Sequence, residues 1–95
     1  MMEKERHDLY RAAVEKWGFA AQLAMLAEEA SELSVAALHC LRTQRPSGYE
    51  HMIEEIADVE IMIEQIVLIL EVAPEVEEKR KEKLARLQQR LELAS

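Results

Sequence analysis

The chain has 95 residues, enough for one domain with a limited core. Its formal net charge of −7 excludes a general nucleic-acid binder, whose phosphate contacts need a basic face. Two Gly and two Pro in a mixture rich in Ala, Leu, Ile, Glu, Lys and Arg describe a helix former with few breakers.

The pattern predicts four helices and no strand. The first covers Met2 to Lys16, with Leu9, Ala13 and Trp17 on one side, and gives way at Trp17–Gly18. The second runs from Phe19 to Arg42. Its apolar seam is Phe19, Leu23, Leu26, Ala30, Leu33, Ala37 and Leu41. Arg42 and Arg45 stand at its end, where cations suit the negative pole of a helix. Arg45-Pro46-Ser47-Gly48 reads as a break.

The third helix covers Tyr49 to Val72, with a seam of Met52, Ile56, Val59, Ile63, Ile66 and Leu70. Its second half is apolar nearly all round, which points to a partner subunit. Pro74 opens the fourth helix, with Glu75, Glu77 and Glu78 in its first turn. That helix reaches Leu93 and carries a narrow stripe of Val76, Leu84, Leu87 and Leu91. His39 and Cys40 read as packing at the bundle edge, and the Met residues as core filler. The expected fold is all-α, an antiparallel bundle of about four helices forming a single domain over residues 1–95.

Other signals limit the setting. The lone Cys40 allows no internal disulfide and points to a reducing, cytoplasmic compartment. The charged segment Met1 to His7 has no apolar core of a signal peptide. The run Ile61 to Leu70, interrupted by Glu64 and Gln65, is too short and polar to span a membrane.

The informative feature is two acidic clusters, Glu28-Glu29-Ala30-Ser31-Glu32 and Glu54-Glu55-Ile56-Ala57-Asp58. Glu29/Glu32 and Glu55/Asp58 are each three residues apart, hence neighbours on one helix face, and both pairs border the apolar seams. One explanation is a solvated acidic face. An ordinary solvated face mixes signs, however, and this one does not. No Lys or Arg lies between Trp17 and Leu41, and none between Pro46 and Glu78 against ten Asp and Glu. The other explanation is a cation site, because partly buried like charges must take up protons or bind cations. Antiparallel pairing of the second and third helices brings the clusters face to face, and an all-oxygen site suits Mg²⁺ or Mn²⁺. A di-iron bundle needs Glu-x-x-His, which none of His7, His39 or His51 completes, and zinc lacks clustered His and Cys.

These motifs resemble the MazG-like, all-α nucleoside triphosphate pyrophosphohydrolases, whose signature is E-E-x-x-E on one helix and E-x-x-D on the next. Glu28-Glu29-Ala30-Ser31-Glu32 matches the first half and Glu55-Ile56-Ala57-Asp58 the second. Lys16-Trp17-Gly18 followed by Gln22 resembles the usual lead-in, and the likeness covers roughly residues 10 to 72. The resemblance implies that Glu29, Glu32, Glu55 and Asp58 hold Mg²⁺, with Mn²⁺ able to substitute, and that Glu28 orients the attacking water. It further implies hydrolysis of a (deoxy)nucleoside triphosphate to the monophosphate and pyrophosphate, by a homodimer or homotetramer.

The resemblance also implies that Lys83 and Arg86 contact the phosphates, since that family often has basic residues in its last helix; the alternative is a solubilising face with Lys79. Trp17 either stacks on a base or packs at a helix junction; Gln22 either bonds a base or caps the seam. Two rivals stand beside this reading. Phosphoribosyl-ATP pyrophosphatase is disfavoured because Ala57-Asp58-Val59-Glu60-Ile61 lacks that family's Tyr-His step. A non-catalytic adaptor would use the acids as a surface for a basic partner.

Overall fold

The computed structural model describes residues 1–43 and 46–94, arranged as α1 (Glu3–Trp17), α2 (Phe19–Thr43), α3 (Pro46–Leu70) and α4 (Ala73–Ala94). No strand occurs among them, and no helix is long and apolar enough to cross a membrane. Arg45, expected at the end of the second helix, lies outside the described residues.

A single residue separates α1 from α2. Gly18 has φ 91° and ψ 151°, a conformation that strains any L side chain. Its N–H donates to the Val14 carbonyl (2.8 Å) and its own carbonyl accepts from the Gln22 N–H (3.2 Å). One helix therefore ends and the next begins on the same glycine.

The expected break before the third helix is shorter than the residue pattern implies. α3 begins at Pro46, since proline's missing N–H is not needed in a first turn. Gly48 is buried against the end of α2: a Cβ there would stand 3.1 Å from Thr43 Oγ1 and 3.4 Å from the Cys40 Cα. The missing side chain lets the two helices start close together. α3 then stops at Leu70, two residues before the expected Val72. Glu71 adopts φ 55°, its N–H donating to Leu68 and that of Val72 donating to Val67 (both 3.2 Å). This is a Schellman turn with Glu in the position that glycine favours.

α2 and α3 run antiparallel, with Gln22 beside Gln65 at one end and Cys40 beside Gly48 at the other. The inward faces correct the expected seams. On α2 the face is Gln22, Leu26, Glu29, Leu33, Ala36 and Cys40, while Leu23, Ala30, Ala37 and Leu41 are exposed. On α3 it is Gly48, Met52, Glu55, Val59, Met62 and Ile66, while Ile56, Ile63 and Leu70 are exposed. Both helices keep the four-three spacing but are rotated, so that a polar residue sits among apolar ones on each inner face. Cys40 is buried and His39 exposed; Met62 is buried and Met52 half-buried, whereas Met1, Met2 and Met25 are exposed.

α1 packs on both α2 and α3. Its buried residue is Tyr10 rather than Leu9 or Trp17, which are exposed. One turn earlier on the same face, Arg6 Nε donates to Glu64 Oε1 at 2.9 Å and ties α1 to α3. Burial, then the Glu64 charge, raises the Tyr10 hydroxyl pKa above its ordinary value. α4 is different. Among the described residues it touches only α3, and Leu84, Leu87 and Leu91 stay exposed. The body is thus three packed helices with a fourth projecting from it.

The two turns predict opposite effects on stability. Gly18→Ala should lower the unfolding free energy by about 1–3 kcal/mol, and Glu71→Gly should raise it by about 1 kcal/mol. Urea titrations followed by helical circular dichroism measure both.

Candidate metal centre

The rotation of α2 and α3 brings Glu29 and Glu55 onto the inner faces of the helix pair. Seam positions are where apolar side chains normally interlock, so a carboxylate there is carried inward by the packing of its neighbours. Leu26 and Leu33 flank Glu29; Met52 and Val59 flank Glu55. Glu55 is only 8 % exposed. Glu29 is half-buried and Glu32 exposed, and one carboxylate oxygen from each of the three lies within 4.8 Å of the others. Two helices supply this group, as the facing clusters imply.

The polar inventory of the group is incomplete. Oε2 of Glu29 and Oε2 of Glu55 are both buried without a hydrogen-bond partner. Burial of a carboxylate oxygen is costly unless a donor or cation meets it. Burial pushes the Glu29 carboxyl above the ordinary carboxylate range, and the charges of Glu32, Asp58 and Glu55 push it further. For Glu55, burial is again the main cause, followed by Glu32 and Asp58, while His51 works in the opposite direction. Asp58 is therefore close enough to act on both carboxyls, though it stands outside the group of three. Glu28 is exposed beside Glu29.

Acceptor-only oxygens, orphaned, buried and like-charged, fit a hard divalent cation such as Mg²⁺ or Mn²⁺, whose ligands are oxygens. A hollow of about 350 Å³ opens beside them, lined by Ser31, Glu32, Val35, His51 and Glu55. His51 carries no metal-ligand spacing in the sequence, yet it precedes Glu55 by four residues. That spacing alone places it on the same face.

Two helical turns from Glu29, about 10 Å along α2, the same seam carries Gln22. Gln65 Nε2 donates to Gln22 Oε1 at 2.6 Å, and both residues are buried. The pair leaves an NH₂ on Gln22 and an acceptor oxygen on Gln65. Next to them lies a hollow of about 520 Å³ lined by Ala13, Trp17, Ala21, Gln22, Met25, Met62 and Gln65. Trp17 is 59 % exposed, which removes the core explanation for it, and Lys16 Nζ stands 5.3 Å from its ring centre. Gln65 had no signal of its own; it interrupts an apolar run and looks like a polar accident until Gln22 is placed opposite. Lys83 and Arg86 lie exposed on α4, which among the described residues makes no contact with α2.

No protein-family model, curated protein or solved structure matches this chain.

The raised carboxyls fix a sign for the pH dependence. Without metal, the folded chain keeps protons on Glu29 and Glu55 that the unfolded chain releases. That penalty is absent at pH below the ordinary carboxylate range and grows as pH rises through the window up to the raised values. Thermal melts in chelator should show the wild type losing stability across this window, with Glu55→Gln losing less. Added Mg²⁺ or Mn²⁺ should raise the melting temperature of the wild type by mass action and leave Glu55→Gln unmoved.

Proposed function

We propose that the chain is a Mg²⁺-dependent pyrophosphohydrolase of (deoxy)nucleoside triphosphates, releasing the monophosphate and pyrophosphate. The observation that carries this reading is Glu55: buried, with an unpartnered oxygen, and grouped with Glu29 and Glu32 from the facing helix. Glu29, Glu32 and Glu55 would hold the ion, with Asp58 contributing a fourth negative charge at its edge; Mn²⁺ would substitute. When bound, the ion offsets charge developing on the phosphate oxygens and makes a neighbouring water more acidic.

The remaining steps belong to the protein. Glu28, exposed next to Glu29, is the carboxylate left to orient the attacking water and accept its proton. The Gln22–Gln65 pair offers a donor and an acceptor for a base edge, and Trp17 offers a ring on which that base can stack. These amides stand two turns of α2 from the carboxylates, about 10 Å along the helix. Lys83 and Arg86 would neutralise the phosphate tail. Since among the described residues α4 touches only α3, their contribution favours a homo-oligomer, a dimer or a tetramer. A reducing, cytoplasmic setting suits the lone thiol of Cys40.

A panel of canonical and modified nucleoside triphosphates, incubated with the protein and Mg²⁺ and scored for pyrophosphate release, tests the reading. Turnover of at least one is expected, and chelator should stop it. Glu55→Gln should cut that turnover by more than about 100-fold, the upper end of what an outer-sphere partner is worth, while the helical signal persists. If no triphosphate is hydrolysed by the folded, Mg²⁺-loaded protein, the acids are a docking surface instead.

A further inference from the structure

The line of polar side chains over α2 and α3 continues past the carboxylates. On α3 the series His51, Glu55, Asp58, Met62 and Gln65 advances by four, three, four and three, so these side chains share one face. On α2 Ala21, Met25, Glu28, Glu32 and Val35 advance in the same way. Members of both stripes line the hollow beside the Gln22–Gln65 pair, and members of both line the hollow beside the carboxylates. The two hollows therefore open on one side of the helix pair. Along that side the order is fixed: first the amides, then the acids, then His51, about 6 Å past Glu55 on α3.

Donors decide what that far end can hold. Phosphate oxygens are anionic acceptors and bind where N–H or O–H groups meet them. Ionised Glu32 and Glu55 only accept, and Val35 is apolar. The Ser31 hydroxyl donates to the Ala27 carbonyl of its own helix at 3.0 Å. Among the described residues no Lys or Arg lines either hollow. His39 and Arg42 continue the α2 stripe beyond Val35 but stand outside the lining. What remains is His51, an exposed imidazole that carries a ring N–H whether neutral or charged.

We propose that His51 is the hydrogen-bond donor for the two outer phosphates of the substrate, the part released as pyrophosphate. This rests on reading the carboxylates as the seat of a Mg²⁺-bound nucleoside triphosphate. With the base at the Gln22–Gln65 end, the tail crosses the acids and its outer phosphates arrive at His51. The imidazole holds them through its N–H and gives up no proton. It supplies the donor that the carboxylates cannot.

Calorimetric titration with inorganic pyrophosphate at saturating Mg²⁺ tests this without requiring turnover. The wild type should bind it. His51→Ala should weaken that binding by about 10-fold or more, the worth of one hydrogen bond to a charged group. His51→Gln keeps an N–H and should stay closer to the wild type. The position is exposed, so both variants should fold. A nucleoside monophosphate lacks the outer phosphates, and its binding should not change in His51→Ala. Nor should the rise in melting temperature with Mg²⁺. A wild type that takes up no pyrophosphate overturns the proposal, and so does a His51→Ala variant that binds it equally well. Loss of the Mg²⁺ response in His51→Ala also overturns it, because His51 would then be a metal ligand. A wild type that binds pyrophosphate through His51 but hydrolyses no triphosphate keeps the phosphate contact and removes the hydrolase.

Discussion

Two carboxylates on an interior seam constrain almost everything else in this molecule. Glu29 and Glu55 occupy positions that leucine or isoleucine would normally fill, and each leaves a buried oxygen without a donor. A hydrophobic pair there would tighten the contact between α2 and α3. The acids instead repel one another across it, and burial raises the cost of their charge. Such a pair either takes up protons or is met by a cation. A divalent cation would offset several negative charges at once, with oxygens as its ligands.

That placement also explains where the apolar side chains went. The residues displaced from the inner seam are not lost from the sequence. They lie on the outer faces of the same helices, as Leu23, Ala30, Ala37 and Leu41 on α2 and Ile56, Ile63 and Leu70 on α3. Polar groups inside weaken the contact between the two helices, and apolar groups stand exposed outside it. The two features are one fact seen from two sides.

How much of this was legible in the residues follows from the same point. The four helices and their order could be read directly, because Gly18, Pro46 and Pro74 mark turns by their own backbone chemistry. The acid pairs were legible too, since a spacing of three on one helix and a run without cations need no coordinates to interpret. The phase of each seam was not. Where both faces of a helix carry apolar residues at the same period, hydrophobicity favours the richer face, and here the richer face is the outer one. The residues missed, His51 and Gln65, are single polar side chains whose meaning depends on what α2 places opposite them.

The turn after α3 has a last consequence. Glu71 sits in a left-handed conformation that costs an ordinary side chain roughly 1–2 kcal/mol, and backbone bonds to Leu68 and Val67 hold the reversal. Little side-chain packing fixes the angle at which the last helix leaves. The direction of that arm therefore rests on one hydrogen-bonded corner and the few apolar residues beside it, Ile63, Val67, Ala73 and Val76, while the carboxylate pocket lies some four turns of α3 away.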